Sequence, residues 1–119
     1  MKKLLSIFII LSVIGISTSA SACGFLEKSE PKVGETLLQS PKTVTVWLSV
    51  PLNPTGSFIE VKNEKGELVS IATVIPQGTD KAISAQLKPL APGKYKVKWQ
   101  MTAANCGHVS TGTFPFVVQ

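Results

Sequence analysis

Lys94-Tyr95-Lys96-Val97-Lys98-Trp99-Gln100-Met101 alternates without a break between polar and apolar residues. In an extended chain successive side chains point to opposite faces. Tyr95, Val97, Trp99 and Met101 therefore share one face, and three lysines and a glutamine share the other. The stretch reads as an antiparallel strand with one face in a core and one in water. Outward from it, the same period of two recurs. Thr43-Val44-Thr45-Val46-Trp47-Leu48 turns Val44, Val46 and Leu48 inward. Residues 58–61 and 68–74 flank Asn63-Glu64-Lys65-Gly66, which reads as a hairpin turn. Ile83, Ala85 and Leu87 alternate before Pro89, and Phe114, Phe116 and Val118 share a face near the end of the chain. With a first strand over residues 25–29, the count is about seven strands.

Prolines and glycines break the chain at short intervals and leave few gaps that would hold a helix of ordinary length. Short strands separated by such turns predict an all-β fold, an immunoglobulin-like Greek-key β-sandwich. Trp47 and Trp99 are assigned to its core or core edge.

The amino-terminal residues obey different rules. Lys2 and Lys3 precede an apolar run over residues 4–16, followed by small residues ending in Ala20-Ser21-Ala22. A positive start, a short apolar run and an A-x-A site make a secretory signal peptide, cut between Ala22 and Cys23. The run is shorter than the roughly 20 residues that span a bilayer. The expected organisation is a signal peptide over 1–22 and one domain over 23–119, exported to the periplasm or its equivalent. Cleavage also lowers the net charge from +5 to about +3, because Lys2 and Lys3 leave with the signal. The basic residues are all lysine and are spread along the chain. Phosphate recognition favours the planar fork of arginine, so no nucleic-acid partner is expected. A monomer is expected.

The catalytic inventory is thin. There is one histidine, His108, and one aspartate, Asp80. No Ser-His-Asp pattern, Gly-rich phosphate loop or H-E-x-x-H motif is present. The protein reads as a non-enzyme. One constellation carries chemistry: Asn105-Cys106-Gly107-His108. Imidazole suits copper and zinc, and thiolate suits Cu(I) and zinc, so Cys106 and His108 can approach one ion from a single loop.

The chain resembles the CopC-type copper-resistance proteins. The resemblance lies in Cys23-Gly24-Phe25-Leu26-Glu27-Lys28-Ser29-Glu30-Pro31-Lys32-Val33-Gly34, followed by Ser40-Pro41. Members of that family typically begin His-Ala-x-Leu-x-x-Ser-x-Pro-x-x-Gly directly after signal cleavage. Residues 87–99, with Pro89, Pro92, Gly93, Tyr95 and Trp99, look like the same family. So does Gly107-His108-Val109-Ser110-Thr111-Gly112-Thr113-Phe114. The resemblance implies a periplasmic β-sandwich that binds Cu(II) through its terminal amine, a terminal histidine, and a late-loop aspartate and histidine. It implies a carrier or buffer in copper resistance or homeostasis, partnered by a membrane copper permease or efflux component. His108 matches the loop histidine. Cys23 stands where the terminal histidine belongs, and Asn105 or Cys106 where the aspartate belongs. The ligand candidates are therefore His108, Cys23 and Cys106, with Asn105 a weaker fourth. Copper, as Cu(II) or Cu(I), is the expected ion, and zinc ranks below it.

The family fold would bring Cys23 beside Cys106, which leaves three fates open. The two form a disulfide, at home in an exported protein. They stay reduced and bind Cu(I) or zinc with His108. Or Cys23 is lipidated and anchors the domain to a membrane. The rival function is a metal-free, disulfide-stapled envelope or protein-interaction domain that has lost the copper site. A copper oxygenase, which relies on a terminal histidine, is disfavoured by Cys23.

Overall fold

A computed structural model of the chain describes residues 24–119. The expected signal peptide, its cleavage site at Ala22 and Cys23, and the sulfur and amine of Cys23 lie outside the described residues. The described chain forms eight strands: β1 Leu26–Glu30, β2 Thr36–Leu37, β3 Thr43–Leu48, β4 Leu52–Asn63, β5 Ser70–Val74, β6 Ala82–Leu87, β7 Gly93–Ala103 and β8 Val109–Val118. They build two four-stranded sheets, one in the order β1-β3-β6-β5 and the other β2-β8-β7-β4. The first order is the A-B-E-D sheet of an immunoglobulin constant domain. β4, β7 and β8 take the places of its C, F and G strands. The expected sandwich is what the chain forms.

The alternation that announced β7 is what packs it. Val97 and Met101 are fully buried and Tyr95 and Trp99 nearly so. They meet Val44, Val46 and Leu48 of β3, Ile83 and Ala85 of β6, and Phe114, Phe116 and Val118 of β8 in one core. Each large apolar side chain buried there stabilises the fold by about 1.5–3 kcal/mol. Tyr95 lies directly across the ladder from Phe116, with ring centroids 5.3 Å apart. Its hydroxyl donates back to the Ala91 carbonyl. A tyrosine at the start of the F strand, bonded to the chain just upstream, is the tyrosine corner of such sandwiches. Farther along the pair, Trp99 lies opposite Gly112, and a Cβ on Gly112 would stand 2.6 Å from the indole. Glycine there makes room for the ring.

Three details depart from the sequence reading. The eighth strand, β2, is two residues long and runs parallel to Val117 and Val118 of β8. So short an element shows no periodicity. Trp47, set at the core or its edge, is half-buried on the outer face of the first sheet, with the Lys28 ammonium 4.4 Å from its ring centroid. The strands on either side of residues 63–66 are not a hairpin. The turn itself is present: Gly66 has φ +80°, and the Asn63 side chain accepts from the amides of Lys65 and Glu67. Beyond one bridge between Lys62 and Leu68, however, the chain crosses to the other sheet. Side chains then stand in for the ladder. The Val61 amide donates to Ser70 Oγ at 3.1 Å, and the Ile59 amide to Thr73 Oγ1 at 3.3 Å.

Candidate metal centre

The long β7–β8 ladder ends at Thr102 and Val109, and residues 104–108 close it as a five-residue loop. Three main-chain hydrogen bonds fix the loop. The Ala103 amide donates to the His108 carbonyl at 2.9 Å, and the Gly107 amide reaches back to the Ala103 carbonyl at 2.9 Å. The Ala104 amide donates to Pro51 of the β3–β4 connection, also at 2.9 Å. Gly107 sits at φ +72°, in the left-handed region that disfavours side chains, and the space beside it is open. That local reversal is what lets Cys106 and His108 flank one bend. Asn105, Cys106 and His108 are all exposed.

The chain enters the fold at the same end. The Phe25 amide donates to Ser49 Oγ at 3.0 Å, and the Ser49 amide donates to the Phe25 carbonyl at 2.9 Å. Gly24 packs so closely on Leu48 and Val50 that a Cβ there would lie 2.6 Å from Val50. Residues 49–51 thus hold the entering chain on one side and the β7–β8 loop on the other. In immunoglobulin terms these are the B–C and F–G loops, which sit together at one end of the sandwich. Asp80 belongs to this end too, its carbonyl accepting from the Leu52 amide at 2.8 Å.

The structure therefore places Asn105, Cys106 and His108 on one loop that is bonded to Pro51, two residues from the Ser49 that holds Phe25. Cys106 is not a free thiol. Among the described residues no group of three or more His, Cys, Asp or Glu side chains stands close enough to hold a metal ion. The donor chemistry fits copper in part. One imidazole is present, but a neutral amide is a poorer ligand than the carboxylate it replaces, and a bonded sulfur is poorer than a thiolate. Sequence reasoning missed the bracing role of residues 49–51. Their part is played mainly by main-chain groups, which carry no residue-type signature.

The family model described as the CopC domain matches residues 26–119. No curated protein matches the chain in sequence. Among solved structures, CopC from Methylosinus trichosporium OB3b is similar, with a TM-score of 0.74 and 25% identity, over 81% of this chain and 93% of that one. PcoC, a copper resistance protein from Escherichia coli, superposes with a TM-score of 0.69 at 22% identity, over 80% of this chain and 99% of PcoC. A second PcoC structure, described as a methionine-rich copper resistance protein, gives 0.68 at 22% identity, over 81% and 98%. At that identity the PcoC likeness speaks for the fold.

Proposed function

The chain belongs to the CopC family, and from that premise we propose that it is an exported, non-catalytic copper-binding protein, a carrier or buffer in copper resistance or homeostasis. One observation carries the reading. The exposed loop bearing His108 and the entering chain at Gly24 and Phe25 are both hydrogen-bonded to residues 49–51. Signal cleavage before Cys23 would add a free amine there, and imidazole plus amine is a nitrogen set that Cu(II) accepts. The partner proposed is a membrane copper permease or efflux component, and the compartment is the periplasm or its equivalent.

We further propose that Cys23 and Cys106 are joined. In support, Cys106 is not a free thiol, and the chain has only 2 cysteines. Consecutive Cα atoms lie about 3.8 Å apart, so Cys23 starts within one residue of Gly24. A bridge closing about 84 residues would stabilise the fold by roughly 4–5 kcal/mol in the chain-entropy account. The same bond weighs against a lipidated Cys23, which would strand Cys106.

The test is a copper titration of the exported protein against a competing chelator, with His108→Ala as control. One-to-one binding that weakens in the variant is the expected result. A second reading rests on the loop's donor set, in which a neutral amide and a bonded sulfur are poor copper ligands: a disulfide-stapled interaction domain without metal. No competitive binding of Cu(II) or Cu(I), in either redox form, would establish that reading and sink the copper carrier.

A further inference from the structure

We propose that the outward face of the β2-β8-β7-β4 sheet is a docking surface for an anionic lipid bilayer, held there by its lysines and not by a covalent anchor. The inference is independent of the copper reading.

The lysines are scattered in sequence, and the fold gathers four of them. Lys94, Lys96 and Lys98 point away from the core at every second position of β7, so they follow one another about 6.7 Å apart. Lys62 of β4 lies directly across the ladder from Lys96. All four are exposed. Glu60, opposite Lys98, is the one acid in the four strands of this sheet. The strands of the other sheet hold one lysine, Lys28, against two acids, Glu27 and Glu30. At the border of the basic face, Glu64 and Glu67 are already engaged. Glu64 accepts from the Lys94 main-chain amide at 3.1 Å, and Glu67 from the Asn63 side-chain amide at 2.9 Å. Outside the four strands, the lysines and acids of residues 24–119 balance, six against six. The whole positive excess of the domain therefore sits on one face.

The pattern on that face points to a bilayer. Like charges directly opposite each other weaken a ladder. Lys62 and Lys96 are such a pair, and Lys96 meets only Pro115 on its other side. An opposing layer of negative charge turns this repulsion into attraction. The outward positions of β8, Thr111, Thr113, Pro115 and Val117, carry no charge. The face is thus a row of one sign beside a neutral strand. An acidic peptide bound in register is better matched by the planar fork of arginine, and the chain has no arginine. Lysine offers a point charge on a flexible stem, which suits a layer of mobile headgroup phosphates. Seated on this face, the domain lays β7 parallel to the bilayer and carries the loop of residues 104–108 along its surface.

The experiment sediments the exported protein with vesicles of phosphatidylglycerol and phosphatidylcholine in equal parts, and with vesicles of phosphatidylcholine alone. At about 0.1 M salt the protein should partition onto the anionic vesicles only, and at about 1 M salt, where the Debye length falls to about 3 Å, it should be released. Each lysine near such a surface is worth about a fivefold gain in partition, so Lys96→Gln should lose about fivefold. The triple variant Lys94→Gln, Lys96→Gln, Lys98→Gln should lose about a hundredfold. A second triple variant, Lys42→Gln, Lys81→Gln, Lys88→Gln, removes the same charge outside the four strands and should stay within about threefold of the parent. Circular dichroism checks each fold, and Lys62→Gln and Lys96→Gln carry the test singly if the first triple variant misfolds. Equal losses from the two triple variants, equal binding to the uncharged vesicles, or binding that survives high salt would each overturn the proposal. Retention on immobilised poly-glutamate without binding to anionic vesicles would also overturn it, and would give the face to an acidic protein.

Discussion

The two ends of β7 are built on opposite plans. At its start, Tyr95 stacks on Phe116 and hydrogen-bonds back to Ala91, so aromatic packing and a buried hydroxyl lock the corner. At its finish, the strand runs into five exposed residues fixed by main-chain hydrogen bonds. The first end spends its side chains on the fold. The second leaves the side chains of Asn105, Cys106 and His108 exposed, with Cys106 bonded. Rigid scaffold beneath a chemically rich loop is how binding sites are commonly mounted on sandwiches.

Substitutions at the two ends should therefore separate stability from metal affinity. Phe116→Ala removes a ring that is fully buried against Tyr95 and should cost about 3–5 kcal/mol, read by urea denaturation. Gly112→Ala drives a methyl to 2.6 Å from Trp99. It should cost about 1–3 kcal/mol and shift the tryptophan fluorescence. A cost near zero would show that the indole can step aside. Tyr95→Phe deletes only the bond to Ala91 and should cost about 0.5–1.5 kcal/mol in the same assay. His108→Ala should change stability by less than about 0.5 kcal/mol, as for an exposed side chain, while weakening copper binding. If His108→Ala destabilises the fold as much as Tyr95→Phe does, the division between the two ends is wrong.

What the sequence disclosed follows the same division. The core faces of β3, β7 and β8 were legible because period-two alternation records which side of a strand is dry. The turn at residues 63–66 was legible through Asn63 and Gly66, but not the direction the chain takes after it. Whether two strands pair or part is decided by tertiary packing, and here Ser70 and Thr73 bond across the gap. The candidate ligands on the loop were legible because Asn105, Cys106 and His108 are neighbours in sequence. Their connection to the entering chain was not, since it runs through the carbonyl of Pro51 and through Ser49.

Those two hydroxyls on β5 bear on how the molecule behaves in a crowd. β4 is the last strand of its sheet, and an unpaired last strand is where a foreign chain can dock and nucleate a fibril. Ser70 and Thr73 already occupy the amides of Val61 and Ile59 that such a chain would have to capture. The sandwich is thereby laced along one seam like a barrel without the closing strand. A strand edge whose outward amides are already taken offers a second copy fewer bonds to form.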